Sequence, residues 1–387
     1  MSQKPVDRVA ELVNKGADIG KSVVIHETAQ IVAKKIKIGD AVQIGPNTKI
    51  FTKNLVLDSD VKIGSNCMLR CNQIELGFES SIGNNNDIQP YSLFKMGKTS
   101  RIGNQAHIRG REVTLGDDVF ITNGFRVGGG GRNEPDAILT VGDRCTMHNN
   151  FINLAKPVSI GNDVGLSPDV ILITHGYWQS VLEGYSATYA SITIHDWVII
   201  GMRATILPGV EIGERTTIGA GAIVSRSLPP RCVAVGIPAK VIKTDYPTPI
   251  SEEQQDKLMI EILQTYRPLL IDKGFDVTRV VEEERGILFE MTHGSEKIVL
   301  SYFRGPQVPP KAFAGDANIL LTFRGESKKP GTVVMNVETL KITGNLTPLV
   351  HDIRDFLRRY GIRFYGYGYF SSLHPTISHD MDYDSLY

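Results

Sequence analysis

Residues 192–243 read ITIHDWVIIGMRATILPGVEIGERTTIGAGAIVSRSLPPRCVAVGIPAKVIK, and in this stretch an apolar residue returns every six positions. The repeat runs through Ile194, Ile200, Ile206, Ile212, Ile218 and Val224. A hexapeptide period is typical of a three-sided parallel β-helix, in which each hexapeptide forms one face and three faces make one coil. The stretch therefore predicts a parallel β-solenoid.

A longer spacing extends this pattern toward the N-terminus. Apolar residues that begin successive coils recur at intervals of 19 or 20 residues, at Ile44, Ile63, Ile82, Ile102, Ile121, Val141 and Ile160. Polar residues such as Asp40, Asn66 and Asp117 are expected to turn the corners. We predict roughly ten coils between about Ile19 and Lys243, stacked about 4.8 Å apart as neighbouring strands are.

Two segments interrupt the period. The first is GGGGRNEPDAI at residues 128–138, and the second runs from His175 to Ala190 before the repeat resumes at Ile194. Excursions from a regular scaffold are where functional residues usually lie, because the scaffold holds them rigidly. We therefore expect function at one or both interruptions.

The segments that flank the solenoid differ from it in pattern. Residues 1–18 predict a short amphipathic lead-in helix. After Lys243 the period ends, Tyr246 to Pro249 reads as a linker, and Ser251 followed by Glu252 is typical of a helix start. We predict a separate α+β domain over residues 244–387, with a first helix to about Ile271 and a second over about 347–360. Strands are expected at 286–291, 297–303, 319–323, 332–337 and, last, 362–370. No motif in this domain indicates a role.

Composition excludes several classes of protein. Lys+Arg and Asp+Glu both number 42, so no global basic field exists to recruit nucleic acid or a membrane surface. No apolar run has the length of a transmembrane helix, and the first residues lack a signal-peptide core, so we expect a cytoplasmic protein. The four cysteines are scattered, and Cys67 and Cys145 occupy positions that predict core packing rather than metal ligation.

Residues 150–243 closely resemble the hexapeptide-repeat acyltransferases, nearest to the maltose, galactoside and xenobiotic O-acetyltransferase branch. The ending Gly236-Ile237-Pro238-Ala239-Lys240-Val241-Ile242-Lys243 is the most specific part of the likeness. The resemblance implies a left-handed β-helix, acyl transfer from acetyl-CoA without a metal, and a homotrimer with active sites between subunits. The acceptor that it implies is a sugar hydroxyl on a polysaccharide precursor or small glycoside.

The resemblance also implies where the donor binds. The pantetheine arm of CoA lies along the outside of the coils, and the small residues at positions 219–222 leave room for it. The residues that we expect along this path are Gly201, Met202, Ala220 and Ser225. Lys240 and Lys243 lie where the family places the cations that meet the CoA phosphates.

His175 is the candidate general base. It enters directly after the segment that begins Ile160-Gly161, as the catalytic histidine of the family does, and an imidazole is suited to removing a proton from an attacking hydroxyl. Asn150, followed by Phe151, matches a family pair whose asparagine binds the acceptor or stabilises the oxyanion. The family's acidic pair that follows is here replaced by Ala155-Lys156-Pro157.

The loop after His175 is rich in aromatic residues. Its candidate acceptor-binding residues are Tyr177, Trp178, Glu183 and Tyr185, because aromatic rings stack on sugars and carboxylates accept hydroxyl hydrogen bonds. Tyr189 follows in the same loop. The same rings could instead pack the loop against a neighbouring subunit, and both roles are compatible.

A hexapeptide solenoid is also compatible with four other functions. An N-acyltransferase acting on an amino-sugar nucleotide remains open, as does a non-catalytic binding or scaffold solenoid. A zinc-dependent γ-class carbonic anhydrase needs a His-x4-His pair on the coils, and the only pair so spaced is His374 and His379, beyond the repeats. A sugar-nucleotide pyrophosphorylase would need a large nucleotide-binding domain before the solenoid.

Overall fold

The computed structural model describes residues 7–130, 134–176, 178–305, 308–325, 329–364 and 373. The chain divides into two compact units, Met1–Thr248 and Pro249–Tyr387. The first unit contains α1 (Arg8–Asn14), which ends before the predicted limit at residue 18, and the Asp7 side chain caps it by accepting from the backbone NH of Ala10. Leu12 of α1 packs into the core of the solenoid that follows.

The solenoid has three sheets, visited in turn by successive strands of the chain. Sheet A comprises Asp18–Ile19, Lys35–Ile38, Asn54–Leu57, Gln73–Leu76, Leu93–Met96, Glu112–Leu115, Ile138–Val141, Val158–Ile160, Ile192–Ile194 and Glu211–Ile212. Sheet B comprises Val24–Ile25, Gln43–Ile44, Lys62–Ile63, Ser81–Ile82, Arg101–Ile102, Phe120–Ile121, Thr146–Met147, Gly165–Leu166, Ile199–Ile200, Thr217–Ile218, Val233–Val235 and Lys240–Lys243. Sheet C comprises Gln30–Val32, Lys49–Phe51, Met68–Arg70, Asp87–Ile88, His107–Ile108, Arg126–Gly128, Phe151–Asn153, Ile171–Leu172, Thr205–Ile206 and Ile223–Val224.

Hexapeptide periodicity becomes a stack of buried rungs. Equivalent residues of successive coils pair in register, as Ile44 does with Ile63 and Ile160 with Ile194. The pairing is parallel except for the final strand, Lys240–Lys243, which runs antiparallel to Val233–Val235. The predicted parallel solenoid is therefore confirmed, and its left-handedness stays a prediction.

Polar side chains at the corners join one coil to the next. Asp40 Oδ1 accepts a hydrogen bond from the backbone NH of Lys21 at 2.7 Å, and Asp117 Oδ1 accepts one from that of Lys98 at 2.8 Å. Asn66 has a left-handed backbone, with φ of 56°. These residues turn the corners as predicted, and Cys67 and Cys145 are buried core residues as predicted.

The second unit contains a six-stranded mixed sheet and two α-helices. Its strands are β1 (Asp276–Glu283), β2 (Gly286–His293), β3 (Glu296–Phe303), β4 (Ala317–Thr322), β5 (Thr332–Asn336) and β6 (Lys341–Thr343), in that order across the sheet. The helices α2 (Glu252–Asp272) and α3 (Pro348–Arg358) share one hydrophobic core with one face of the sheet. The last strand predicted, over residues 362–370, is not formed at 362–364, and 365–370 lie outside the described residues.

Short helical turns occur at Val181–Glu183 in the long loop and at Pro310–Phe313 in the second unit, and a two-stranded hairpin pairs His175–Gly176 with Thr188–Tyr189. In the described part of the chain, no helix combines the length and apolar character needed to cross a membrane.

Candidate active site

His175 lies at the start of the long loop, beside Asn153 of sheet C. The two come together because sheet C continues through Ile171–Leu172, one coil beyond Phe151–Asn153, and His175 follows three residues later. The His175 Nδ1 atom is 2.7 Å from Asn153 Oδ1. The half-buried imidazole is thus held by an asparagine whose own side chain is buried.

The hydrogen bonds around Asn153 determine which ring nitrogen of His175 carries the proton. Asn153 Oδ1 also accepts from the backbone NH of Thr174 at 3.2 Å and from its hydroxyl at 2.8 Å. A backbone NH can only donate, so the amide atom facing it is the oxygen. That oxygen must then accept from His175, so Nδ1 carries a hydrogen, and in the neutral ring the lone pair is on Nε2. A neutral imidazole in this tautomer is the form that a general base requires.

The two interruptions of the solenoid meet at His175. An open cavity of about 650 Å³ is lined by Gly129, Gly130, Glu134 and Asp136 from the first interruption, and by Ala155, Lys156, His175 and Tyr189. Function was expected at one or both interruptions, but sequence periodicity gave no sign that they share one cavity.

Glycine is required where the first interruption crosses sheet C. A Cβ atom on Gly130 would lie 1.9 Å from the carbonyl oxygen of Leu154, a separation that no side chain can occupy. One on Gly129, whose φ is 87°, would lie 2.6 Å from Asn153 Nδ2. These two glycines let the loop backbone lie directly against the strand that carries Asn153.

Charged side chains line the cavity near the imidazole. Lys156 forms an ion pair with Asp136 at 2.5 Å, and Glu134 is an exposed carboxylate. At the position where the resembling family has an acidic pair, this chain has Lys156, and its cavity carboxylates come from the first interruption instead. Sequence reasoning missed Glu134 and Asp136 because they lie forty-one and thirty-nine residues before His175.

Among the described residues, Tyr189 lies with its ring beside His175. Their rings stack, with centroids 5.7 Å apart and planes inclined by 15°, and their backbones pair in the hairpin that closes the loop. An aromatic face next to the imidazole restricts how the ring can tilt. It also leaves an apolar surface at the cavity wall on which a sugar ring could stack.

The structure places the other loop residues elsewhere. Trp178 is 90 % exposed, Glu183 and Tyr185 are exposed, and none of the three is among the described residues that line the cavity. Tyr177 lies outside the described residues. Within the described chain, Tyr189 rather than the predicted aromatic residues reaches the imidazole.

Asn150 occupies the interior of the coil and does not reach the cavity. It is fully buried, its Nδ2 donates to the carbonyl of Ser167 at 2.8 Å, and its Oδ1 accepts from the backbone NH of His148 at 2.7 Å. Asn86, which also directly precedes a sheet C strand, donates to the carbonyl of Gly103 at 2.9 Å in the same way. Asn150 therefore joins coils, and Asn153 is the asparagine at the candidate base.

We predict that Asn150→Ala lowers stability with little effect on turnover. The change leaves a buried carbonyl and a buried NH without their partners, which costs about 1–3 kcal/mol of unfolding free energy. Denaturant unfolding of the variant measures this loss, and Asn86→Ala is the matched control because it should lose a similar amount. A more than tenfold lower kcat for Asn150→Ala at unchanged stability would contradict the assignment.

The predicted donor residues lie on the last coils. Gly201 contacts the next coil so closely that a Cβ atom there would lie 2.5 Å from the backbone N of Ala220. Met202 and Ser225 are exposed, as are Lys240 and Lys243 in the final strand. The ammonium of Lys243 lies 4.9 Å from the ring centroid of Tyr246. The described residues contain no cluster of three or more metal-ligating side chains.

The family model that matches this chain covers part of its C-terminal coils. Residues 191–226 match the family model for the bacterial transferase hexapeptide (six repeats). Galactoside O-acetyltransferase of Escherichia coli is 36% identical over 119 residues, which cover 28% of this chain and 59% of that protein. Serine acetyltransferase of Mycobacterium tuberculosis is 38% identical over 99 residues, covering 26% of this chain and 42% of that protein. The chain thus spans about half the length of these relatives.

Among solved structures, a hexapeptide-repeat acetyltransferase of Vibrio cholerae in complex with acetyl coenzyme A matches at a TM-score of 0.25 and 20% identity. That match covers 37% of this chain and 69% of the other. A similarity of this size carries no argument about activity.

Proposed function

We propose, from the premise that the solenoid belongs to the hexapeptide-repeat acetyltransferase family, that this protein transfers an acetyl group from acetyl-CoA to a carbohydrate hydroxyl. The observation that carries the proposal is the hydrogen bond from His175 Nδ1 to Asn153 Oδ1 at the wall of the cavity. A histidine presented in its Nε2-basic tautomer inside a roomy, polar cavity is the arrangement that acyl transfer to a hydroxyl requires.

The chemical step follows from this tautomer. His175 Nε2 removes the proton of the acceptor hydroxyl as the hydroxyl oxygen forms a bond to the thioester carbonyl carbon. The tetrahedral intermediate collapses, the carbon–sulfur bond breaks, and the imidazolium returns the proton to the CoA thiolate. The products are an acetyl ester and free CoA. General-base assistance of this kind contributes about 10²- to 10⁴-fold in rate.

The cavity supports a carbohydrate acceptor. Glu134 and Asp136 offer carboxylate oxygens, Lys156 offers an ammonium, and Tyr189 offers an aromatic face. Sugar hydroxyls can donate to the carboxylates and accept from the ammonium.

The exposed loop residues Trp178 and Leu182, at 90 % and 95 % exposure, support the further proposal of a homotrimer in which this loop contacts a neighbour. Light scattering would measure that oligomeric state.

The acetyl-CoA donor is proposed to lie along the last coils, at Gly201, Met202, Ala220 and Ser225, with its phosphates near Lys240 and Lys243. Support comes from the exposure of both lysines and from the match of residues 191–226 to the transferase repeat. Gly201, Ala220 and Ser225 have small side chains, which leave room along the coils for an extended pantetheine arm.

We predict that Lys240→Ala/Lys243→Ala weakens CoA binding by at least about tenfold, since hydrogen bonds to charged groups contribute about 1.5–3 kcal/mol. Calorimetry with CoA and 3′-dephospho-CoA would show the preference for the 3′-phosphate disappearing if either lysine contacts it. Lys34→Ala/Lys37→Ala, at exposed positions on the early coils, is the matched control with unchanged affinity. Equal CoA affinity of the two double variants would remove the lysines from the donor site.

The function itself is tested by thiol release from acetyl-CoA in the presence of a panel of glycosides and amino sugars, with product masses measured. Ester formation on a sugar hydroxyl supports O-acetylation. Acetylation confined to an amine would replace it with the N-acyltransferase alternative. Saturable acetyl-CoA binding without transfer to any member of the panel would favour a binding module.

A further inference from the structure

The second unit contains a cavity of about 390 Å³ that is separate from the proposed active site. It lies where the parallel strands β3, β4 and β5 begin, between the sheet and the first turn of α3. The floor consists of Ile298, Ile319 and Val333, one from each strand, and Phe275 and Leu349 contribute to the walls. All five are hydrophobic and belong to the core that α2 and α3 form with the sheet.

The cavity lies at the first inward-facing rung of this core. Ile319 and Val333 there are buried at 3 % and 5 % exposure, and Leu321 and Met335, two residues further along the same strands, retain 0 %. The inward-facing residues beyond the cavity are thus completely covered. A packing gap of this size is unusual in an interior that is otherwise close-packed.

Among the described residues of the cavity wall, Lys273 and Asn318 already have polar partners. Lys273 Nζ lies 2.7 and 2.8 Å from the two carboxylate oxygens of Asp352, and their side chains are 8 % and 0 % exposed. The Asn318 side chain donates to and accepts from the backbone of Gly315, both at 3.0 Å. The interior thus has a neutralised ion pair and a satisfied amide, so a ligand would meet apolar surface without an uncompensated charge.

The rim of the cavity is polar instead. His293, Glu296 and Asn345 are exposed there, and the His293 ring lies against Phe275 with centroids 4.7 Å apart. An apolar interior with a polar rim fits a molecule that has an apolar body and a hydrogen-bonding end. The volume lies within the range of about 300–1,000 Å³ that small-molecule sites occupy.

We propose that this cavity binds a neutral amphiphile, with its alkyl chain on Ile298, Ile319 and Val333 and its polar end at the rim. The second unit is then a small-molecule-binding domain. This inference does not depend on acyl transfer by the solenoid, because every residue that carries it lies in the second unit.

Calorimetric titration of the full chain with n-butanol, n-hexanol and n-octanol tests the proposal. Burial of each methylene contributes enough to tighten Kd by about fourfold, so each step of two methylenes should tighten it by about fifteenfold. We expect one saturable site per chain for octanol. Octanoate should bind no more tightly than octanol, because Asp352 already neutralises Lys273.

Two cavity-filling variants locate the site. Val333→Phe and Ala317→Leu each add volume to the empty space, and we expect either one to weaken octanol binding at least tenfold. Leu258→Phe, at an exposed position of α2, is the matched control with unchanged affinity. Circular dichroism shows whether each cavity-filling variant is folded. If Val333→Phe does not fold, Ala317→Leu provides the test.

Three results would overturn the proposal. They are the absence of saturable octanol binding, octanol binding that folded filled variants retain at wild-type affinity, and octanoate binding at least tenfold more tightly than octanol. The last result would mean that the cavity is built for an anion.

Discussion

Replacing His175 by alanine is expected to lower kcat for acetyl transfer by about a hundredfold or more. The variant removes the only imidazole among the described cavity residues, and with it the atom proposed to accept the hydroxyl proton. The affinity for acetyl-CoA should change little, because the proposed donor path lies on the last coils. Steady-state kinetics together with calorimetry separates these two effects.

The control for this variant is His26→Ala. His26 lies on an early coil, where its exposed ring contacts Thr28 through Nδ1, so its loss should leave kcat unchanged. Near-normal turnover by His175→Ala would remove His175 from the mechanism. An equal fall in both variants would indicate a general effect on the solenoid rather than loss of a base.

Asn153 is the second residue at which a large effect is expected. Asn153→Leu removes the oxygen that accepts from His175 Nδ1, so neither the tautomer nor the orientation of the ring is fixed. Misplacement of a catalytic group by about 1 Å can cost on the order of a hundredfold, and we expect kcat to fall by about 10- to 100-fold. Acetyl-CoA affinity should remain at its wild-type value.

Asn153→Asp distinguishes positioning of the ring from a purely structural role. A carboxylate still accepts from His175 and from Thr174, and the bond that it loses, to the carbonyl of Gly128, is long at 3.4 Å. In this variant the ring of His175 therefore keeps the acceptor that orients it.

We therefore expect kcat of Asn153→Asp to lie well above that of Asn153→Leu, and steady-state kinetics measures the difference. Equal kcat of the two folded variants would show that Asn153 does not act through its hydrogen bond to His175. Loss of activity together with loss of folded signal would assign Asn153 to the structure of the coil.

The solenoid could be predicted from the sequence because every coil requires the same kinds of residue at the same positions. An apolar residue faces inward, a polar residue such as Asp40 bonds the neighbouring coil, and small residues such as Cys67 fill the interior. Periodicity located both interruptions for the same reason. Each interruption is a run of residues that does not fit the hexapeptide period.

The sequence did not predict that the two interruptions line one cavity. Glu134 and His175 approach through stacking of coils, a long-range consequence of register that local pattern does not encode. Asn150 and Asn153 also differ by only three positions, yet one faces the interior and the other reaches His175. The strand Phe151–Asn153 begins directly after Asn150. A difference of three positions therefore decides which asparagine contacts the long loop.

The second unit shows the limit of sequence reasoning more fully. Several of its elements were predicted, such as a helix that begins after Ser251, and β1 and β6 were missed. Its cavity requires β3, β4, β5 and the start of α3 to leave a gap between them. A gap of this kind leaves no pattern in any single segment of the sequence, because its size depends on how far apart the packed strands and helix lie.

The most direct test of the central claim is the thermal unfolding midpoint of the full chain with increasing acetyl-CoA. A ligand that binds only the native protein stabilises it by about 2.7 kcal/mol at a hundred times its Kd. We predict a midpoint that rises with ligand concentration, and a smaller rise for Lys240→Ala/Lys243→Ala. No rise at millimolar acetyl-CoA would contradict the claim that this solenoid is an acetyl-CoA-dependent transferase.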